Sequence, residues 1–223
     1  MSFWNAVRAV IGKDVLIELR SRQTLSAMLT FALMTTIIFS FAFELELQSM
    51  QGVLPGVLWV AFAFAGLLGL NRSFGVEQEG NCLEGLLLTP VDRTAIYVGK
   101  LIANVVIMLL SEALMLPLFA VLLQLPLLLP SLWAVALLGT LGLAVLGTLL
   151  AAMVVSTRAR DVLLPILLLP LTVPALIAAT KSTAFILDAR PLVELRPWLQ
   201  LLIAFDIISI VVALLSFEYV IEE

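Results

Sequence analysis

Histidine does not occur anywhere in the 223 residues. Its absence removes the commonest metal ligand and the commonest acid–base group. Paired-histidine zinc motifs and histidine-based triads are therefore excluded. Cysteine occurs once, at Cys82. One thiol forms no intrachain disulfide and no thiolate cluster for zinc or iron–sulfur. No GxxxxGK[ST] phosphate loop is present, so any ATP must be bound by another chain. The opening residues, MSFWNAVRAVIGKD, interleave charged and apolar groups, unlike a signal peptide, so the first membrane segment is expected to stay in place. Charge is scarce as well: 13% of residues are charged, against about a quarter in a soluble domain.

What fills the space is apolar. The chain is 62% hydrophobic, with a mean hydropathy of +1.17. It reads as a single-domain, all-α polytopic membrane protein over residues 1–223. Six spans of about 20 residues are expected, near Leu25–Phe43, Val53–Leu70, Ala95–Leu123, Leu132–Val155, Val162–Ala179 and Leu199–Phe217. Pro55 falls in the first turn of the second span, where a missing N–H costs little. The fourth span carries Gly139, Gly142 and Gly147 with Thr140 and Thr148, small surfaces for close helix approach. The fifth contains Pro165, Pro170 and Pro174 and is expected to bend or break. No internal repeat stands out, which argues against inverted-repeat carriers.

Residues 1–22 precede the first span. Trp4, Val7, Ile11, Val15 and Leu19 form a rough stripe, with Arg8, Lys13 and Arg20 elsewhere. This predicts a helix lying in the membrane interface, its stripe inward and its cations among headgroups. Asp14 and Glu18 fall near the stripe, four apart and like-charged. Arg22 is placed to pair with Glu18 as a local surface ion pair.

Orientation follows from the basic residues. Arg8, Lys13, Arg20, Arg22, Arg72, Arg93, Lys100, Arg158 and Arg160 fall on one side, and Lys181, Arg190 and Arg196 on the other. The richer side is expected in the cytoplasm, with both termini. The segment 71–94 lies on that side. Within it, GVEQEGNCLEGLLLTP (Gly75–Pro90) carries three acids, Glu77, Glu79 and Glu84. Its Leu83, Leu86 and Leu87 are at helical spacing. Two readings stand: a docking surface for a soluble partner, or a solvated loop whose leucines dip into headgroups. The segment 181–198 is expected as an external loop, re-entrant or resting on the bilayer surface.

Glu112 and Asp206 lie inside spans, near mid-depth at about 1.5 Å per residue from Lys100 and Trp198. Each must be protonated, hydrogen-bonded within the bundle, or facing water. They line a path or subunit interface, or they bond structurally to Ser111, Ser209 or a backbone carbonyl.

KDVLIELRSRQTLSAMLTFALM (Lys13–Met34), GLLGLNRSFGVEQEGNCLEGLLLTP (Gly66–Pro90) and the glycine-rich fourth span together resemble the CcmB family, haem exporter protein B. The N-terminal D…ELR.R pattern is matched by Asp14, Glu18, Leu19, Arg20 and Arg22, and the likeness covers nearly the whole chain. Thr89 stands where the family often has serine. The resemblance implies an ABC exporter permease of the bacterial inner membrane, working in cytochrome c maturation. It implies two copies of this chain over two copies of a CcmA-type ATPase, with CcmC, CcmD and the haem chaperone CcmE as companions. By the resemblance, a short cytoplasmic coupling helix falls on Glu77, Glu79, Leu83, Glu84, Leu86 and Leu87. No cofactor is expected on this chain itself: ATP belongs to the partner, and haem is handled by the complex. No catalytic residue, metal site or nucleic-acid partner is expected. The alternative is a generic exporter of a drug or lipid-linked sugar. An intramembrane enzyme would need an acid pair, and nothing in the sequence brings Glu112 and Asp206 together.

Overall fold

The computed structural model describes residues 3–42, 52–79, 93–123, 127, 129–155, 157 and 159–220. Among them are seven helices and no strand. They are α1 (Phe3–Ser21), α2 (Gln23–Ala42), α3 (Leu54–Glu79), α4 (Arg93–Leu123), α5 (Pro130–Val154), α6 (Arg160–Leu187) and α7 (Leu192–Val220). The last six are each long and apolar enough to cross a membrane. In a bilayer every backbone polar group needs an internal partner, and a helix supplies one from within its own segment.

The spans run alternately up and down. α3 and α5 are the mostly buried pair, while α2, α6 and α7 turn broad apolar faces outward. α5 is the hub and touches α3, α4, α6 and α7. Its small residues allow this: Gly139 lies against Trp59 of α3, Gly142 against Phe205 and Asp206 of α7, and Gly147 against Leu70 of α3. Pro130 opens α5 after an extended Leu129, its fixed φ suiting the first helical position. Tyr97 on α4 packs on Phe217 of α7, ring centroids 4.6 Å apart, and Ala95 packs on Ala6 and Val7 of α1. Both ends of the described chain therefore lie at one end of the bundle, the end where α1 sits.

One expectation is narrowed and another needs correction. Of the bend or break expected in the fifth span, the break does not occur, since α6 is continuous through Pro165, Pro170 and Pro174. Nor is 181–198 a loop. Lys181–Leu187 completes α6, and Leu192–Trp198 opens α7 through Pro197. Of the charges that looked like loop residues, Lys181, Glu194 and Arg196 sit on helix ends, and Asp188 and Arg190 in the junction. Only four residues, Asp188–Pro191, join the two helices.

That junction is a Schellman turn. Arg190 N–H donates to Phe185 O at 3.0 Å and Ala189 N–H to Ile186 O at 3.1 Å, while Ala189 takes φ 51°. Glycine usually fills this left-handed position because a Cβ costs roughly 1–2 kcal/mol there. Ala189→Gly is expected to stabilise the protein by about 0.5 kcal/mol, after glycine's extra chain entropy is subtracted. The readout is a higher unfolding midpoint in detergent, and a lower one would contradict the strain.

Candidate functional site

The first cluster lies at the α1 end. α1 presses on α4 where Gly99 leaves room. A Cβ at Gly99 would come 2.7 Å from the Val10 Cβ. Beside it, Lys100 is fully buried. Its Nζ is 3.1 Å from Asp14 Oδ2 on α1 and donates to the Ser73 carbonyl on α3 at 3.2 Å. Lys13 Nζ holds the other Asp14 oxygen at 3.2 Å. One ammonium thus ties α1, α3 and α4 together. Ser73 lies in the C-terminal part of α3 and Lys100 in the N-terminal part of α4.

Glu18 secures the next corner. α1 ends with Arg22 at φ 53°, and Arg22 N–H donates to Glu18 O at 2.7 Å. α2 starts without a spacer, because Ser26 N–H already donates to Arg22 O at 2.9 Å. The start of α2 lacks a Ser or Asp cap of its own. Instead Glu18 Oε1 accepts from Leu25 N–H at 2.8 Å, the service an N-cap side chain normally performs. Glu18 is buried and serves the backbone, so the expected Glu18–Arg22 surface pair is corrected. Arg20 is exposed on α1.

The predicted stripe on α1 also shifts. Ala6, Val7, Val10 and Glu18 are buried, whereas Trp4 and Leu19 are exposed. The close seat at Gly99 and the Asp14–Lys100 pair set the helix's roll. Hydrophobicity alone would have chosen the neighbouring face.

The second cluster lies at mid-depth around α5. Thr140 donates to Glu112 Oε1, while Glu112 Oε2 is buried with no hydrogen-bond partner. Asp206 is buried with neither carboxyl oxygen bonded. A Cβ on Gly142 would come 2.6 Å from its Oδ1. Both acids thus converge on α5, two positions apart. That spacing is about 3 Å of rise and about 200° around the helix. They share a level on opposite flanks of α5, so no acid pair forms. Ser111, an expected partner of Glu112, donates to Met108 O at 2.7 Å instead. Toward the α1 end, Asn104 donates to Thr148 at 3.0 Å and Tyr97 Oη to Val145 O at 3.0 Å. Toward the far end, Trp59 Nε1 donates to Thr183 at 2.9 Å.

Of the coupling residues, Glu77 and Glu79 fall in the last turns of α3. Leu83, Glu84, Leu86, Leu87 and Cys82 lie outside the described residues. Sequence reasoning counted Lys100 only as a surface cation. The glycine before it, early in a span, was the signal of a close approach.

Comparison with known proteins places this geometry. The family model described as CcmB protein matches residues 5–222. Heme exporter protein B of Rhodobacter capsulatus is 35% identical over 174 residues, 77% of this chain and 79% of the relative. The Pseudomonas aeruginosa protein of the same name is 31% identical over 201 residues, 90% of each chain. That of Escherichia coli K12 is 33% identical over 200 residues, 82% of this chain and 81% of its own.

Removing Lys100 leaves Asp14 with Lys13 alone, the more exposed of its two cations, and takes the hydrogen bond from the Ser73 carbonyl. Lys100→Met is expected to cost about 2 kcal/mol. Adding Asp14→Leu should restore roughly half of that loss, as coupled neighbours do. Unfolding midpoints of the single and double variants in detergent test this, and strictly additive losses would sink the clasp.

Proposed function

The chain belongs to the CcmB family, and from that membership we infer that it is the membrane subunit of an ABC-type system for haem export and cytochrome c maturation. It is a multi-pass membrane protein. Its place is the bacterial inner membrane, with the α1 end, and so both termini, in the cytoplasm. It acts as permease, and ATP is hydrolysed by a CcmA-type ATPase docked at that end. Two copies of this chain stand over two of the ATPase, with CcmC, CcmD and CcmE-type proteins alongside.

The observation in the structure that supports coupling at that end is the clasp. Force applied to the Gly75–Pro90 segment must pass through its stems, α3 and α4. Lys100 binds those stems to each other and to α1. Movement of the segment is then delivered to three helices as one body, instead of being lost in a loose loop. α3 and α4 both pack on α5, the route from the stems to α7 and the far end. Glu77, Glu79, Leu83, Glu84, Leu86 and Leu87 are the proposed ATPase contacts: carboxylates for basic groups, leucines for an apolar notch.

At the outer face the ATP-driven motion releases haem-loaded chaperone. The absence of histidine supports this, and so does Tyr97, whose hydroxyl is spent on Val145 O inside the bundle. One observation favours a second reading, in which haem itself moves along the chain. A groove of about 290 Å³ between α3 and α6 has aliphatic walls, among them Val60, Val173 and Ile177, and Lys181 at its edge. Apolar walls and a cation suit a flat macrocycle with carboxylates.

Leu83→Asp or Leu86→Asp is expected to cut ATPase co-purification about tenfold or more, because a buried carboxylate without a partner costs several kcal/mol. Undiminished recovery would refute the contact. Cys82 should react with an impermeant thiol reagent in inside-out vesicles and stay unlabelled in intact cells. Labelling from outside would reverse the orientation. Reconstitution with the ATPase and chaperone separates the two mechanisms: hydrolysis should release loaded chaperone without labelled haem entering the vesicle.

A further inference from the structure

At the α1 end a cavity of about 180 Å³ lies between α1, the start of α2, α3 and α4. That is far more than the ~10–15 Å³ a single water needs on such a measure. Three charged side chains line it: Asp14 and Glu18 from α1, and Arg72 from α3. Asp14 is balanced by Lys13 and Lys100. Glu18 uses one oxygen on Leu25 N–H. Arg72 is half-buried and makes no ion pair or hydrogen bond among the described residues.

Opposite charges thus share one small chamber without neutralising each other. Arg72 and Glu18 both line it, and no ion pair joins them. Arg72 brings five N–H donors to the chamber from α3, and Glu18 a carboxylate from α1. The space between them is the room an occupant takes. The inner wall is aliphatic, with Leu70, Ile107 and Met108, and the mouth carries the exposed Ile17. The chamber is at the bundle's charged end, at the turn where α1 meets the first span, the depth of a lipid headgroup.

We propose that this cavity holds the headgroup of a zwitterionic phospholipid bearing a primary ammonium, its phosphate on Arg72 and its ammonium toward Glu18. The guanidinium fork matches two phosphate oxygens. The ammonium meets the carboxylate oxygen not engaged by Leu25. The glycerol and upper acyl carbons lie along Ile107 and Met108. Asp14 is already held by Lys13 and Lys100, so the charges left to meet an occupant are Arg72 and Glu18, one of each sign, as in a zwitterionic headgroup. A lipid with only a phosphate would satisfy Arg72 but leave Glu18 facing an anion. The bound lipid would fill the angle between α1 and α3 beside the Lys100 clasp.

The test uses the full chain and two lipids with identical acyl chains, phosphatidylethanolamine and phosphatidylglycerol, mixed equally. Native mass spectrometry of the detergent-released protein reads which lipid stays bound. About a tenfold preference for the ethanolamine lipid is expected, the size of one charge-assisted hydrogen bond. Arg72→Gln should abolish retention of both lipids. Ile17→Trp, which blocks the mouth without touching an ion pair, should also lower retention while leaving the unfolding midpoint unchanged. Equal retention of the two lipids by the unaltered chain would overturn the proposal, as would preference for the glycerol lipid. So would undiminished lipid binding in Ile17→Trp, or displacement of the lipid by soluble phosphoethanolamine alone. None of these outcomes depends on the ATPase contact, so the lipid site and the coupling role stand or fall separately.

Discussion

A charge with no access to water must be answered on the spot, and Lys100 is answered from two neighbouring helices. Its ammonium is held by a carboxylate on α1 and a carbonyl on α3, from a backbone position on α4. Desolvating such a group costs several kcal/mol unless its partners are well placed. The partners are therefore obligatory, and their helices are fixed in relation to one another. Gly99 lets the backbones come close enough, and the roll of α1 follows from the need to point Asp14 inward.

The same demand runs through the membrane interior, met by weaker groups. Tyr97, Asn104, Thr148 and Thr140 form polar contacts along the α4–α5 seam. Thr36 and Thr172 return their hydroxyls to carbonyls of their own helices. Helices in lipid gain little from hydrophobic exclusion, so close packing and such bonds hold the seam. Among the described residues Glu112, Asp206 and Ser182 are the exceptions, with three carboxyl oxygens and one hydroxyl left without a hydrogen bond.

The six crossings were legible in the sequence because they depend on apolar length, which single residues barely alter. The glycines of α5 were legible as contact surfaces for a similar reason: smallness is a local property. The helices around 181–198 were not, because charges at a helix end look like charges in a loop. The roll of α1 was missed because a stripe of aliphatics describes what a helix prefers to bury, while Asp14 was placed by a partner far along the chain and Glu18 by a backbone N–H seven residues on, past the turn into α2. Lys100 lies 86 positions from Asp14, and no local pattern reports such a pairing. The acids at 112 and 206 were recognised one by one. Their common relation to α5 needed the fold.

The single residue between α1 and α2 has a mechanical consequence. Arg22 closes one helix and opens the other, and Glu18 staples both sides of it. No slack remains for α1 to slide along the first span. It can only pivot, like the short arm of a bell-crank whose fulcrum is one residue. A sideways tug on the short arm at the membrane surface becomes a tilt of the long arm through the bilayer.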